Sequence, residues 1–289
     1  MNHILFFGLG FSATALAERL AQKGWTISAT SRSEAGAGAI RCKGYRGFVF
    51  DGSQPLPEAA FDGVTHMVDS APPGDDGDPV LRQHANDFAS RAAQFQWVAY
   101  LSTTGVYGDH GGGLVTEDTP LTPNTERGHK RLLAENQWLG LWRAHGLPVM
   151  IFRLAGIYGP GRNQLLSLLD GTAKRVIKPG QIFSRIHVAD IANTLEASIA
   201  HPDPGRAYNV CDGEACPPQD VVAYGAKLLG LPAPPDVPFE AADLSPMARS
   251  FYADSKRVSN ARILTELGVK LSYPTYREGL AAIAREMGR

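Results

Sequence analysis

The sequence has few cysteines, no long apolar run and no excess of charge of either sign. Its three cysteines are too few for a disulfide framework, and Cys211 and Cys216 lack the spacing of a zinc site. No apolar run approaches the roughly 18 to 20 residues that cross a bilayer. The acidic loop with Asp75, Asp76 and Asp78 lacks the later bidentate Glu of a calcium loop, so we interpret it as a solvated turn without a metal.

Charge and composition exclude further classes of protein. The 28 Lys and Arg and the 29 Asp and Glu leave a formal charge of −1, whereas nucleic acid and anionic membranes select basic surfaces. Hydrophobic residues make up 44% of the chain, the proportion of an ordinary globular protein. The first apolar stretch, Ile4–Phe7, lacks the flanking features of a signal peptide. We therefore expect a cytoplasmic protein whose partner is a small molecule rather than nucleic acid or a membrane.

Short apolar runs alternate with helical patterns along the first two thirds of the chain. The runs are continuously apolar, which is typical of parallel strands covered on both faces. The strand candidates are Ile4–Phe7, Trp25–Ala29, Gly47–Phe50, Val64–Val68, Trp97–Leu101 and Pro148–Phe152. The helix candidates are windows around Ala13–Leu20, Leu81–Ala92, Val188–Ile199, Arg257–Leu267 and Tyr276–Met287. Successive βα units with right-handed crossovers predict an α/β fold with a Rossmann-type, doubly wound parallel sheet.

A glycine-rich turn follows the first strand and opens directly into a helix. Gly8 permits the tight turn, and Gly10 lets the backbone approach a pyrophosphate without a Cβ in the way. The N-terminus of the helix offers free N–H groups to an anion. Because this turn lies between a strand and a helix, it predicts a dinucleotide site formed by Gly8, Gly10, Phe11 and Ser12. A tight turn without a ligand is the alternative.

The end of the second strand determines which dinucleotide fits. An NAD site usually has an acidic residue here for the ribose 2′-hydroxyl, whereas this chain has Ser31, Arg32 and Ser33, with Glu34 only beyond them. A guanidinium and two hydroxyls suit a 2′-phosphate. An exposed ion pair contributes at most about 1 kcal/mol, so a strong preference for NADP(H) over NAD(H) requires several donors that bind the 2′-phosphate together. We predict NADP(H) as the preferred cofactor and NAD(H) as the alternative, in which Arg32 is an ordinary surface residue.

Four further strings resemble a known superfamily. They are LSTTGVYG at 101–108, RLAGIYGPG at 153–161, IHVADIA at 186–192 and AYNVCDG at 207–213. With the glycine turn, and in the right order, they are similar to the extended branch of the short-chain dehydrogenases/reductases, which includes nucleotide-sugar epimerases and dehydratases. The resemblance implies a Rossmann domain at 1–158 plus about 186–202. It also implies a smaller, discontinuous C-terminal substrate domain at about 159–185 and 203–289.

The resemblance also implies roles for single residues. Asp51, after the third strand, would lie near the adenine, and Ser70, Ala71 and Pro72 would line the ribose and pyrophosphate. Thr103 falls where the family has its catalytic Ser or Thr, four residues before the Tyr of VYG. Its hydroxyl would donate a hydrogen bond to a substrate carbonyl or alcohol. A hydroxyl that only caps the strand end is the alternative for Thr103.

The next family motif, YxxxK, is where this chain departs from the pattern. Gly128 and Glu135 fall in place, so Arg127 stands at the Tyr position and Arg131 at the Lys position. The ordinary mechanism needs a tyrosine whose pKa drops from about 10 towards 7. A guanidinium does not give up its proton in a protein, so Arg127 cannot replace that tyrosine. The chain therefore resembles the atypical subgroup that keeps the upstream Ser/Thr but lacks the standard YxxxK.

Other residues are candidates for the missing proton transfer. Glu126 and Lys130 are four residues apart and would share one helical face, and His129 is a candidate because histidine is the side-chain type whose unperturbed pKa is near neutral. An exposed helix pair without a catalytic role is the alternative for Glu126 and Lys130. Candidates for binding an anionic substrate group are Arg127, Arg162 and Arg185. Phe183 stands where many sugar-nucleotide enzymes have an Arg, which weakens the nucleotide-sugar assignment.

These features predict an NAD(P)-dependent epimerase/dehydratase or reductase that acts on a carbonyl or alcohol substrate, with nucleotide sugars among the candidates. The alternative is a catalytically silent NADP(H)-binding sensor or scaffold protein. The helix around Leu132–Trp142 has more apolar residues than one sheet face needs. A homodimer that uses this helix is a further hypothesis.

Overall fold

The computed structural model describes residues 2–289. The strands are β1 (His3–Phe7), β2 (Thr26–Ser31), β3 (Arg46–Val49), β4 (His66–Asp69), β5 (Trp97–Thr103), β6 (Leu114–Val115), β7 (Val149–Leu154), β8 (Gly156–Tyr158), β9 (Arg175–Ile177), β10 (Arg185–His187), β11 (Ala207–Val210), β12 (Asp236–Pro238) and β13 (Arg257–Val258). The α-helices are α1 (Phe11–Gln22), α2 (Glu34–Cys42), α3 (Pro79–Ser90), α4 (Glu126–His145), α5 (Gln164–Leu169), α6 (Val188–Ala200), α7 (Pro218–Leu228), α8 (Pro246–Phe251), α9 (Ala261–Thr265) and α10 (Tyr276–Glu286). Short 3-10 helices lie at Glu58–Phe61, Ala92–Gln94, Thr104–Tyr107 and Phe239–Ala241.

A seven-stranded sheet with the order β3-β2-β1-β4-β5-β7-β11 dominates the fold. The neighbours from β3 to β5 pair in parallel, and this order is that of a Rossmann sheet. All five residues of β1 and all six of β7 are buried, as expected for strands with helices on both faces. The predicted α/β fold is therefore confirmed.

Each of the six predicted strands is present, with ends shifted by at most two residues. The prediction missed β11, because its four residues were interpreted only as part of a motif. It was also wrong for Arg257–Leu267, which forms the short strand β13 and the five-residue helix α9. There Val258 pairs with Val115 of β6, and this pairing removes the first residues from the helix.

The chain divides into two compact units. Unit 1 comprises the stretch up to Thr103 together with His129–Arg153 and Ile191–Tyr208. Unit 2 comprises Thr104–Gly128, Leu154–Asp190 and Asn209–Arg289. The domain boundaries that the sequence resemblance implies stay a prediction. Within residues 2–289, no helix is long and apolar enough to cross a membrane.

Unit 1 has an aromatic core that α4 completes. Trp138 of α4 is fully buried and stacks on Phe88 at 5.7 Å and on Tyr100 at 6.2 Å between ring centroids. Leu139 and Trp142 also pack against this core, whereas Leu133 is 41% exposed. Several of the apolar residues in the Leu132–Trp142 segment thus pack in the core of unit 1. The homodimer stays a prediction.

Candidate functional site

The glycine turn after β1 is held by the ends of two neighbouring strands. Gly8 has a φ of +84°, a left-handed conformation that glycine adopts without steric cost. Its N–H donates to Thr30 Oγ1 of β2 at 3.0 Å, and Ser70 Oγ, after β4, donates to the Gly8 carbonyl at 3.0 Å. A Cβ on Gly8 would lie 3.0 Å from Ser70 Oγ. Both the backbone and the packing therefore require glycine here.

Gly10 is different, because nothing in the protein requires it to be glycine. It precedes α1 with a φ of −81° and a ψ of −170°, which any residue adopts. A Cβ built on Gly10 would have no heavy atom within 4 Å in the part of the chain that the structure describes. The space in front of the α1 N-terminus is thus open at the residue where the sequence predicted close approach of a pyrophosphate. Phe11 and Ser12 form the first turn of α1, and Ser12 is buried.

The predicted 2′-phosphate contacts lie between β2 and α2. Ser31 ends β2, and the hydroxyl of Ser33 caps α2 by accepting the Gly36 N–H at 3.2 Å. Arg32 between them is exposed, and within residues 2–289 its guanidinium has no hydrogen-bond or ion-pair partner. Glu34 forms an ion pair with Arg41. The Arg32 side chain is therefore available for an anion.

The predicted adenine and ribose contacts lie after β3 and β4. Asp51 is exposed, and its Oδ1 accepts hydrogen bonds from Ser53 Oγ at 2.6 Å and from the Ser53 N–H at 2.9 Å, which lower the pKa of the Asp51 carboxyl. The Ala71 N–H donates to Asp69 Oδ1 at 2.8 Å. Pro72 is exposed. The segment of unit 1 that the resemblance assigns to the ribose is thus anchored by a carboxyl group that the sequence analysis did not consider.

That carboxyl group belongs to a buried acidic pair. Asp69 is 0% exposed and Asp78 is 1% exposed. Burial, and next the proximity of Asp78, raise the pKa of Asp69 well above its usual range. The interpretation of the acidic loop as a solvated turn holds for the exposed Asp75 and Asp76 but is wrong for Asp78. Asp78 caps α3 by accepting the N–H groups of its first turn, and the Asp before Pro79 was the sequence signal for that cap.

Thr103 and the side chain of Arg131, which belongs to α4, lie at the carboxyl ends of strands in unit 1. Thr103 is half-buried and ends β5. Arg131, at the Lys position of the family motif, directs Nη1 to Leu101 O at 2.9 Å, Tyr100 Oη at 3.0 Å and Ala71 O at 3.5 Å. The guanidinium is therefore held at the strand ends of unit 1 by three acceptors. Burial raises the pKa of Tyr100, so this hydroxyl stays protonated at neutral pH.

The candidates for proton transfer lie along the first turns of α4. Lys130 Nζ is 2.7 Å from Asp75 Oδ1 in the loop between β4 and α3. His129 and Glu126 are exposed, and Glu126 is the first residue of the helix. The structure thus places Lys130 against the acidic loop and leaves His129 and Glu126 accessible to solvent.

A buried ion pair holds α4 against the sheet. Glu135 is 1% exposed and accepts hydrogen bonds from Ser102 Oγ at 2.6 Å and from Arg153 Nη2 at 2.9 Å. Glu135 is one of the residues that matched the family string, and Ser102 precedes Thr103. The ion pair therefore fixes α4 relative to the last residues of β5.

The three candidate anion contacts of the sequence analysis all fall in unit 2. Arg127 is exposed and lies 5.6 Å from the ring centroid of Phe251. Arg162 is exposed in the turn after β8. Arg185 is only 9% exposed, and its Nη1 donates to Phe183 O at 3.1 Å and to Cys216 Sγ at 3.3 Å. Arg127 and Arg162 are thus accessible, whereas Arg185 is engaged within unit 2.

Unit 2 also contains a buried carboxyl group that the sequence analysis missed. Burial raises the pKa of Asp212 to about 7, although the Glu214 N–H donates to its Oδ1 at 3.1 Å. The nearby His187 is buried, and its Nδ1 accepts the Ala189 N–H at 3.2 Å. This contact joins the imidazole to the first turn of α6. Among residues 2–289, no group of three or more His, Cys, Asp or Glu side chains is arranged to hold a metal ion.

Comparisons with known proteins agree with this geometry. Residues 88–211 match the model of the NAD dependent epimerase/dehydratase family. Protein YeeZ of Escherichia coli (strain K12) is 28% identical over 95% of this chain and 97% of its own length. A functionally unknown conserved protein from Silicibacter pomeroyi DSS has a solved structure that is 52% identical, with a TM-score of 0.92 over 100% of both chains.

A more distant structure confirms the fold. The dTDP-glucose 4,6-dehydratase from Bacillus anthracis str. Ames, solved in complex with NAD, is 19% identical to this chain. The superposition has a TM-score of 0.78 and covers 99% of this chain and 96% of the dehydratase. This chain thus shares its fold with that dehydratase.

Proposed function

Because residues 88–211 match the model of the NAD dependent epimerase/dehydratase family, we propose that this chain is an enzyme that transfers hydride between a nicotinamide dinucleotide and a carbonyl or alcohol substrate. The glycine turn carries the proposal. Gly10 leaves open space before the α1 N-terminus, and that arrangement fits a pyrophosphate. When bound, the nicotinamide donates or accepts the hydride.

The proposed cofactor is NADP(H), with NAD(H) as the alternative. The exposed Arg32 and the hydroxyls of Ser31 and Ser33 support a 2′-phosphate, since a guanidinium makes strong charge-assisted hydrogen bonds with phosphate. The dehydratase from Bacillus anthracis was solved with NAD, which supports a dinucleotide site and is the reason to test NAD(H) as the alternative. Asp51 would contact the adenosine half, and Ser70, Ala71 and Pro72 the ribose and pyrophosphate.

At the reacting end, the Thr103 hydroxyl would donate a hydrogen bond to the substrate oxygen. Arg131 would supply a fixed positive charge, because its guanidinium is held at the strand ends by three acceptors and cannot transfer a proton. A preorganised cation of this kind stabilises negative charge that develops on an oxygen. The proton itself would move through Lys130, Glu126 or His129 in place of the missing tyrosine.

The proposed substrate carries a carbonyl or alcohol and an anionic group. Arg127 and Arg162 are accessible for such a group, whereas Arg185 would first have to leave Phe183 O and Cys216 Sγ. Nucleotide sugars are the first class to test, since dTDP-glucose 4,6-dehydratase is among the proteins of this fold. Phe183, in place of an arginine, is the reason to include simpler carbonyl compounds.

The first experiment is a titration of the purified protein with NADPH and NADH, followed by nicotinamide fluorescence and thermal unfolding. We expect NADPH to bind more tightly than NADH and to raise the Tm, because a ligand that binds only the native state stabilises it. A screen of nucleotide sugars and carbonyl compounds would then follow absorbance of the reduced nicotinamide. Failure of the protein to bind either dinucleotide would contradict the proposed function.

A further inference from the structure

The two buried carboxyl groups of unit 1 each have one oxygen that is hydrogen-bonded and one that is not. Asp69 Oδ1 accepts the Ala71 N–H at 2.8 Å, and Asp78 Oδ1 accepts the N–H groups of Val80 at 2.8 Å and Leu81 at 3.1 Å. The second oxygens, Asp69 Oδ2 and Asp78 Oδ2, are buried, and no group within residues 2–289 donates a hydrogen bond to either. The two carboxyl groups lie close enough together that Asp78 raises the pKa of Asp69.

Two buried carboxylates this close together repel each other and lose most of their hydration. A single proton between Asp69 Oδ2 and Asp78 Oδ2 removes both penalties, because one oxygen then donates to the other. Such a pair carries one negative charge. The charged group that faces it from α4 is Arg131, and Tyr100 faces it from β5. One shared negative charge thus opposes the single positive charge of Arg131.

The same two groups hold the Ala71 peptide from both sides. Asp69 binds the Ala71 N–H, and Arg131 Nη1 approaches the Ala71 carbonyl at 3.5 Å. Ala71 is one of the residues that the proposed function assigns to the cofactor. A change in the charge of the acidic pair would therefore act on the cofactor segment and on Arg131 together.

We propose that Asp69 and Asp78 share one proton at neutral pH, and that this singly charged pair is the positioning element that holds Ala71 in place for the dinucleotide and Arg131 in place for the reacting oxygen. The inference rests on the proposed function, because Ala71 and Arg131 have these roles only if the dinucleotide binds at this end of the sheet. Neither Asp69 nor Asp78 contacts the reacting atoms.

The pair also sets a direction for the effect of pH. The folded-state pKa of Asp69 is raised, so the stabilisation from the shared proton is complete below the ordinary carboxyl range and is lost as the pH rises through the raised pKa. Tyr100 stays neutral because burial raises its own pKa, and Arg131 stays charged. We expect NADPH affinity to fall with rising pH, by up to about tenfold per pH unit above the raised pKa.

The test is Asp78→Asn. The asparagine keeps an oxygen for the Val80 and Leu81 N–H groups, and its amide N–H₂ can donate to Asp69 Oδ2. This variant therefore has the same single negative charge without a titrating proton. Two readouts apply to the full chain: the infrared C=O band of a protonated carboxyl group, as a wild-type-minus-variant difference at neutral pH, and the NADPH Kd from about pH 7 to about pH 10.

We expect wild type to have the infrared band and a Kd that increases with pH, and Asp78→Asn to lack both the band and most of that increase. Asp76→Asn, in the exposed part of the same loop, is the matched control and should behave as wild type. Absence of the band in wild type would overturn the shared proton. If the band is present in wild type but the NADPH Kd has the same pH dependence in wild type and in Asp78→Asn, the positioning role is overturned.

These failures can be told apart from failure of the proposed function. If wild type binds neither dinucleotide at any pH, the proposed function and the positioning role both fail, and the infrared band alone decides the shared proton. If Asp78→Asn does not fold, Asp69→Asn makes the same test from the other side. Its oxygen can still accept the Ala71 N–H, and its amide can donate to Asp78 Oδ2.

Discussion

Replacement of Gly10 by valine separates a binding role of the glycine turn from a folding role. The backbone of Gly10 is extended, and a Cβ there has no protein heavy atom within 4 Å. The cost to folding is that of a poorer N-cap, about 1 kcal/mol, which lowers the Tm by about 2–4 °C. A pyrophosphate against α1 would collide with the side chain. Overpacked contacts cost about 1–3 kcal/mol, or roughly five- to 150-fold in Kd.

The assay is NADPH fluorescence titration at one temperature below both unfolding transitions. Gly140→Val is the matched control, because a Cβ at Gly140 of α4 also meets nothing within 4 Å. It should bind NADPH as wild type does. Gly8→Ala provides the opposite contrast, since its positive φ makes alanine cost about 1–2 kcal/mol in folding. If Gly10→Val binds NADPH within about twofold of wild type, the turn does not hold the phosphates and the reasoning from open space is refuted.

Three further predictions test single residues. Arg32→Ala should weaken NADPH binding about fivefold, the equivalent of about 1 kcal/mol for an exposed ion pair, and leave NADH binding unchanged. Arg41→Ala is the control. Equal losses of affinity for both dinucleotides in Arg32→Ala would contradict the 2′-phosphate assignment. Thr103→Val should lower turnover of an identified substrate about 100-fold without changing the NADPH Kd, and an unchanged rate would mean that this hydroxyl is structural. Burial raises the pKa of Asp212 to about 7, so the folded state holds this proton more tightly than the unfolded state does. As the pH rises from about 4 to about 8, the free energy of unfolding of wild type should therefore fall relative to that of Asp212→Asn by up to about 4 kcal/mol, measured by chemical denaturation. A difference that stays constant with pH would contradict the raised pKa.

The sheet and the glycine turn were predictable because their signals are local. Strands buried on both faces are continuously apolar, so β1 and β7 stand out in the sequence. Gly8 is required by its positive φ, whereas Gly10 leaves open space where a Cβ would stand against a bound pyrophosphate. Both features follow from neighbouring residues and the elements that flank them.

The acidic pair was not predictable because its cause is tertiary. Asp78 sits in a run of Asp, Gly and Pro that is typical of a solvated loop; its role as a cap of α3 has a local signal, but its position beside Asp69 depends on the folded sheet. The position of Arg131 lies between these cases. The motif spacing placed it at the lysine position, but its acceptors on Ala71, Tyr100 and Leu101 come from two other strand ends and depend on the folded sheet.

The late position of β11 in the chain matters for synthesis. β11 lies next to β7 at the edge of the large sheet, yet more than 50 residues separate the two strands along the chain. Until the ribosome has made Val210, the nascent chain leaves the six apolar-rich residues of β7 as an unpaired edge, the kind of surface on which chains aggregate. Slow translation across that interval, or premature termination within it, would therefore favour aggregation and increase the need for a chaperone.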